Sequence, residues 1–349
     1  MKDEFEVDLS IGSEDPETQL YLIDFRLTYV PSIGDLPQSR FKNEIEFRSN
    51  EILRTKGITG LYDFLHDFVM THKITTLRRQ VNELQKGRWT DTLHLNMHKR
   101  SLFIYYWAGR QERNLFEVGV LRPKDKEPSR LGVRWHRDGK EVKDTTVPIV
   151  RTYYTKSRPS QILIILQNTQ TVSAEGLLMT VTALHAKHIL TNVRDVLTTL
   201  PIFPAEALTL VTSDTDSFKS HLTVRLTPAR FLKIQIEPIT GRFALSKPNV
   251  QVSQAEQVMN HAKPEDWNHM MQQISRLRYA VLQQEIESRA KSLGWEIMRM
   301  MNIDLQIIKQ RFGATTRYLT YMRRKSWKKN WIVVVVLGDL GESWWVAEM

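Results

Sequence analysis

The sequence predicts an α+β fold built on tandem repeated units, each a long helix packed on an antiparallel meander sheet, and three observations carry that prediction. The first is internal repetition: residues 60–84, GLYDFLHDFVMTHKITTLRRQVNEL, are echoed at an offset of 116 by residues 176–200, GLLMTVTALHAKHILTNVRDVLTTL. Gly60 aligns with Gly176, and the apolar positions then coincide as Leu61/Leu177, Leu65/Val181, Phe68/Leu184, Ile74/Leu190, Leu77/Val193, Val81/Leu197 and Leu84/Leu200. His72 falls on His188, Thr75 on Thr191 and Arg78 on Arg194. The second is periodicity. These positions step by three and four, with one slip between Phe68 and Ile74, as in a helix that buries one stripe against a flat partner. The third is the composition downstream of each copy: segments rich in β-branched and aromatic residues, which make the flat partner a sheet.

Taken in order, residues 5–11 and 20–30 read as strands separated by the turn cluster GSEDPET. Residues 39–55 carry Phe41, Ile45, Ile52 and Leu53 near helical spacing, Gly57 is placed to stop that helix, and Thr59 can cap the next one. Short strands come next at 91–97, 101–107 and 115–121. The charged, Pro-containing stretch 123–158 reads as a surface connection interrupted by a possible strand at 131–135, and QILIILQ at 161–167 as a buried strand. Ser173 can cap the second helix, which Pro201 ends, but Gly176 stands where a capping box needs Glu or Gln. A second meander is expected at 208–213, 221–227, 231–237 and 242–245. A third helix over 264–292 has Trp267, Met270, Met271, Ile274, Leu277, Val281 and Leu282 on its apolar side, with Gly294 interrupting it. The end reverts to strands at 318–322, 331–337 and 343–347, the last two forming a hairpin around GDLGE. Since the chain stops straight after that hairpin, it reads as a fragment. The expected domains are 1–160, a first helix-and-sheet repeat with N-terminal strands; 161–262, a second repeat; and 263–349, a long helix and the start of a further sheet.

With 349 residues and 41% hydrophobic content, the chain can build sizeable cores. It contains no cysteine, which excludes disulfides, thiolate metal sites and thioester chemistry within it. No run of 18 apolar residues offers a membrane span, and the acidic opening MKDEFEVDLS is neither a signal nor a transit peptide. The expected location is cytosolic or nuclear. A net charge of +10 permits an acidic partner without specifying one.

No catalytic, cofactor or metal residues are assigned. His185 and His188 stand three apart on one helix, but His72 repeats His188 without an equivalent of His185 and no further ligand completes a zinc site, so a repeated structural histidine is the preferred reading. Asp63 and Asp67 share a helical face, yet Met179 and Ala183 occupy those positions in the echo, which favours a solvated face over a catalytic pair. GDLGES lacks the glycine spacing and the lysine of a phosphate loop. One stretch carries a functional accent. In RYLTYMRRKSWKKNW the cations Arg323, Arg324, Lys325, Lys328 and Lys329 interleave with Tyr318, Tyr321, Trp327 and Trp331, a mixture that suits nucleic acid or an acidic protein. The preferred alternative is a strand with an aromatic core face and a solvated cationic face. Together with Trp344 and Trp345, whose side chains should point to opposite faces of the terminal hairpin, those five cations and Trp331 are the candidate partner contacts. One of the two tryptophans can pack on the third helix; the other needs a second cover.

The repeat, the opening EFEVDLSI…EDPE…LYLIDFRLTYVP, the core GLYDFLHDFVMTHKITTLRRQVNELQKGRWTDTLHLNMHKRSLFIYYW and the closing NWIVVVVLGDLGESWWVAEM together resemble the fungal Mediator subunit 14 family over nearly the entire chain. The resemblance implies two repeat motifs related to ubiquitin-conjugating and RWD folds. It also implies a non-enzymatic nuclear scaffold of the Mediator coactivator complex, linking head, middle and tail modules in support of RNA polymerase II transcription. The implied partners are other Mediator subunits, with RNA polymerase II reached through the assembled complex and no membrane contact. The alternative function is a nucleic-acid-binding module using residues 317–331. A ubiquitin-pathway enzyme, suggested by the fold analogy alone, lacks its nucleophile here because the chain has no cysteine.

Overall fold

The structure is a computed structural model, described for residues 4–15, 18–29, 40–110, 114–121, 129–137, 140–141, 164–165, 172–246, 248–262, 266–298, 310, 316–327, 331–339 and 341–348. The chain forms two compact units, residues 1–181 and 182–349, and the fold is mixed helix and antiparallel sheet as the sequence predicts.

In the first unit, β1 (Phe5–Ile11) and β2 (Leu20–Leu27) form an antiparallel hairpin. Its register slips between Asp8 and Leu9, leaving Ile23 unpaired as a bulge, and the extra residue lets both Leu22 and Phe25 face inward. Helix α1 (Arg40–Lys86) is two helices meeting at Gly57, whose φ of 67° is left-handed and breaks the ladder. The stop expected at Gly57 is therefore a kink, after which the helix resumes and carries the repeated stripe. Strands β3 (Leu93–His98), β4 (Ser101–Tyr106), β5 (Leu115–Leu121) and β6 (Arg130–Arg137) form a meander, extended by β7 (Lys140–Glu141), while β8 (Ile164–Ile165) also pairs with β6. Residues 130–137, expected only as a possible strand within a connection, are a full member of this sheet, pairing along their length with β5. Most of the 123–158 connection and of the 161–167 strand lies outside the described residues.

Helix α2 (Ala174–Thr198) begins where expected, with Ser173 Oγ accepting the Gly176 N–H at 3.1 Å. Gln80 fixes this start from α1, donating from Nε2 to the Val172 carbonyl at 2.9 Å and accepting the Ala174 N–H at 2.8 Å. A second meander, β9 (Leu208–Val211), β10 (His221–Thr227), β11 (Arg230–Ile236) and β12 (Phe243–Leu245), is followed by α3 (Val250–His261), which the sequence pattern leaves unassigned. Asn249 caps α3 by accepting the Val252 N–H at 2.8 Å. Helix α4 (Trp267–Ser292) is capped by Asp266, ends on Arg289 and Lys291, and gives way at Gly294, which has φ 75°. Then β13 (Trp295–Met298), β14 (Thr316–Arg324), β15 (Trp331–Gly338) and β16 (Gly341–Glu348) form a further meander. Three times, a helix is followed by at least four antiparallel strands in consecutive order.

The two aligned helices bury the same positions. Leu61, Leu65, Ile74, Leu77 and Val81 are buried in α1, as are Leu177, Val181, Leu190, Val193 and Leu197 in α2, and the last aligned pair, Leu84 and Leu200, is half-buried in both. Only Phe68/Leu184 differ, Phe68 being half-buried among the rings of Phe25 and Phe41. The repeated histidines are both hydrogen-bonded. Burial lowers the pKa of His72, whose neutral Nδ1 accepts the Tyr29 hydroxyl, and Asn192 Nδ2 donates to His188 Nε2 at 2.8 Å.

Three charged groups in the first unit sit where an apolar stripe would be expected. Glu4 is buried, receiving His66 Nδ1 at 2.8 Å and Lys73 Nζ at 2.9 Å, and Lys73 also lies 5.2 Å from the centroid of the Tyr29 ring. The other His66 nitrogen, Nε2, meets the Ser129 carbonyl. Because both ring nitrogens face acceptors, only the imidazolium, with two N–H donors, satisfies them together. The hydrogen bond to Glu4 accordingly raises the His66 pKa despite burial. Burial alone would raise the Glu4 carboxyl, but the bonds from His66 and Lys73 outweigh it and hold the carboxyl below its ordinary value. This cluster pins the chain just before β1 to the middle of α1.

The shared stripe and the buried cluster can each be tested by substitution. Leu77→Asp and Val193→Asp each put an unpaired charge into a buried stripe, at a cost of about 3 kcal/mol or more, so each lowers the thermal midpoint by about 6 to 12 °C. A midpoint within about a degree of the parent would remove the shared-core assignment. For the buried cluster, the Glu4 contribution is present above its unfolded pKa of 4.5 and is lost as pH falls through its lower folded value. The His66 contribution is complete below its unfolded pKa of 6.5 and is lost as pH rises through its higher folded value. Between those limits Glu4→Gln destabilises by about 3 kcal/mol, because it leaves Lys73 and His66 buried with their charges uncompensated. A destabilisation that did not change with pH would assign Glu4 a packing role alone.

Candidate protein-interaction surface

The sheet β13–β14–β15–β16 carries most of the sequence-predicted contact residues. Strand β15, IVVVV flanked by Trp331 and Leu337, is buried on both faces after Trp331, as its unbroken β-branched run predicts. On one face Ile332, Val334 and Val336 form a cluster with Met298, Leu319, Tyr321 and Ala347. The other face is turned toward α4: Tyr318, paired with Leu337 in the β-register, brings its ring to 5.6 Å from that of Tyr279. The Tyr279 hydroxyl donates to Asp339 Oδ1 at 3.0 Å, and Arg317 grips the same carboxylate with Nε at 3.1 Å and Nη2 at 2.8 Å. Arg317 holds the Asp339 carboxyl below the ordinary range, while burial pushes the Tyr279 hydroxyl well above its own. One acidic side chain thus ties the β15–β16 turn to both α4 and β14.

The basic and aromatic residues do not separate onto two faces as the strand reading expects: Tyr318 and Tyr321 stand on opposite faces of β14, and Arg323 shares the face of Tyr321. Tyr318, against Tyr279, and Tyr321, against the Ile332 cluster, are each half-buried, and Trp327 packs edge-on against Trp295 with ring centroids 5.3 Å apart. Arg323 Nη2 lies 3.0 Å from Glu296 Oε2, and Lys325 Nζ lies 4.0 Å from Glu296 Oε1, so one carboxylate on β13 offsets part of this cationic face. Arg324 stands at the end of β14, opposite Trp295 in the register. Lys328 and Lys329 lie outside the described residues.

The tryptophans are placed differently. Trp344 pairs with Val335 and Trp345 with Val334, so they point to opposite faces, yet both remain about half exposed, at 55% and 48%. The expectation that one would pack away on the third helix is not met: α4 lies against β13 and β14, and of β16 only Ala347 joins the Ile332 cluster. Val346, on the Trp344 face, is 59% exposed and Trp331 is 39% exposed. Glu342, also on that face, lies in the field of half-buried Arg278, which stacks on Phe203 and donates to the Arg225 carbonyl at 3.2 Å just beyond the end of β9. Among the described residues no group of three or more His, Asp or Glu side chains is placed to hold a metal ion, and no helix is long and apolar enough to cross a membrane.

Sequence patterns give no direct sign of the Glu4–His66–Lys73 cluster. Its signal lies in the repeat: Lys73 aligns with Ile189 and His66 with Thr182, both buried in α2, so a cation occupies a core position and requires a buried counter-charge.

Fold and surface define an α+β protein that presents exposed tryptophans on the last two strands of a sheet beside a partly neutralised cationic face. Residues 193–286 match the Fungal Med14 domain. The chain is 32% identical over 356 residues to Mediator of RNA polymerase II transcription subunit 14 of Aspergillus terreus, covering 99% of this chain and 30% of that protein. It is 31% identical to the same-named protein of Neosartorya fischeri, over 100% of this chain and 31% of that protein, and 30% identical to that of Neurospora crassa, over 100% and 28%. The chain belongs to the fungal Mediator subunit 14 family, and it spans about 30% of the length of the curated relatives it matches.

Proposed function

We propose that this chain acts as a non-enzymatic scaffold of the Mediator transcription coactivator complex, a nuclear assembly, with its outer surfaces binding other subunits of the head, middle and tail modules. RNA polymerase II is reached through the assembled complex. The observation that carries the reading is the match of 99–100% of this chain to about 30% of proteins named as Mediator subunit 14. The RWD and ubiquitin-conjugating likeness of segments 1–160 and 161–262, with 263–349 opening a further sheet, belongs to this proposal; the stripe shared at an offset of 116 supports it. Arg323, Arg324, Lys325, Lys328, Lys329, Trp331, Trp344 and Trp345 are the proposed contacts, and the exposure of the three tryptophans supports that role.

Pull-down of the chain with isolated head, middle and tail subcomplexes is the test: capture by at least one supports the scaffold reading, and capture by none refutes it. Removing residues 331–349 is expected to weaken association with tail-side subunits while leaving head association largely intact. A mobility shift with duplex or single-stranded nucleic acid that weakens steeply with salt would favour the nucleic-acid module instead.

A second expectation is chemical. With ubiquitin-activating enzyme, ubiquitin and ATP the chain gives no adduct that a reducing agent removes, since thioester transfer needs a thiol and the chain has none. A thiol-sensitive band would overturn the non-enzymatic reading.

A further inference from the structure

We infer that Ser326 is a phosphoacceptor for a serine/threonine kinase that selects arginine on the amino-terminal side of its target, and that its phosphate switches off the cationic face beside it. The site stands without the scaffold reading, whereas its effect on Mediator partners rests on that reading. The sequence contains two Arg-Arg pairs, Arg78-Arg79 and Arg323-Arg324; two places after the first stands Val81, and two places after the second stands Ser326. Kinases discriminate substrates by such charge patterns, since each guanidinium fork can meet a carboxylate of the kinase. The structure leaves this serine within reach. Ser326 is exposed in the turn that leaves β14, a turn closed by the Trp327 N–H on the Arg324 carbonyl at 3.0 Å, and no hydrogen bond holds its hydroxyl among the described residues. The next residue is anchored, with the Trp327 ring on that of Trp295, while Ser326 itself faces water. Arg323 and Arg324 lie in extended backbone beyond Met322 opposite Val333, the last pairing of β14 with β15 among the described residues, so only β13 pairs with them. Arg324 is exposed and enters no ion pair among the described residues, and the Lys325 side chain is 77% exposed.

The step moves the γ-phosphoryl group of ATP to Ser326 Oγ. The P–Oγ bond forms as the bond from that phosphorus to the β,γ-bridging oxygen breaks, ADP leaves with that oxygen, and the hydroxyl proton passes to the catalytic Asp of the kinase. The product carries about −1.5 to −2 charges at pH 7. Arg323, Arg324 and Lys325 are three cations at this end of β14 and Glu296 is the one carboxylate that offsets them, so a phosphate on Ser326 brings the local charge close to zero. Its oxygens also accept hydrogen bonds from the exposed Arg324 and Lys325, which then answer the phosphate in place of a partner's carboxylates.

The test treats the full chain with ATP, magnesium and the catalytic subunit of cyclic-AMP-dependent kinase, an arginine-directed enzyme, and locates phosphate by peptide mass spectrometry. Phosphate is expected on Ser326, absent in Ser326→Ala and incorporated about tenfold more slowly in Arg324→Ala, the loss of one charge-assisted hydrogen bond to the kinase. A dye-labelled octamer of glutamate, read by fluorescence anisotropy, is expected to bind the phosphorylated chain about three- to tenfold more weakly than the untreated chain, while Ser326→Ala treated in the same way binds unchanged. A peptide of residues 317–331 that takes phosphate while the folded chain takes none, a rate that Arg324→Ala leaves unaltered, or an octamer affinity that the phosphate leaves unaltered would each overturn the proposal. Phosphate on Ser326 with capture by no subcomplex sinks the scaffold reading alone, whereas capture with Ser326 left unmodified sinks the phosphorylation and leaves the scaffold reading.

Discussion

A stripe of apolar side chains on one side of a helix has to be covered, and that constraint sets the arrangement of this chain. Leu65, Leu77 and Val81 in α1 and Val181, Leu190 and Leu197 in α2 are wholly out of water. Each such side chain contributes about 1.5 to 3 kcal/mol when buried, far more than helix propensity distinguishes between residues, so the cover decides where each helix lies. A meander is an economical cover. It needs only short turns between neighbouring strands, and its inner face alternates with a solvated one, as the buried Leu222, Val224 and Leu226 of β10 illustrate. The same order, a helix and then an antiparallel sheet, recurs after α1, α2 and α4.

That constraint also explains which features are legible in the sequence. The repeated stripe and the hairpin Trp331–Leu337 with its returning strand obey local rules: a period near 3.6, a β-branched run, a glycine turn. Gly57 and Ser173 are legible for the same reason, since left-handed backbone and an open helix N-terminus each favour few residue types. Helix α3 is not, because VQVSQAEQVMNH alternates apolar and polar residues at its start as a strand would, and only Val252, Ala255 and Met259 commit it to a buried helical face. Strand β6 is lost in a charged neighbourhood. Its RLGVRWHR pattern shows Leu131, Val133 and Trp135 as an alternating inner face, but the lysines and prolines around it mask the signal.

The Glu4–His66–Lys73 cluster shows the limit of single-residue reading. Each of the three looks like a surface residue, and Glu4 stands in an acidic opening that invites a solvated assignment. Only the combination makes burial tolerable. A carboxylate accepting two charge-assisted hydrogen bonds offsets much of its desolvation, while one left with a single partner would not. The contacts span 62 and 69 residues of sequence, so no window-based pattern can join them. Comparison with the echo can: where α2 has Ile189 and Thr182, α1 has Lys73 and His66, and a departure from the repeat at a core position marks a polar device particular to the first copy.

The last sheet carries the same logic to its edge. Val334 and Val336 are buried and Tyr321 partly buried with sheet neighbours on both sides; one strand further out, Trp344 and Val346 are exposed. Strand register decides which face each ring takes: Trp345 shares the face of Val334 and Trp344 that of Val335, and a one-residue slip would only exchange the two. Two indole rings thus stand on opposite faces of β16, the last strand of its sheet among the described residues, and a cover laid over one face leaves the ring on the other face untouched.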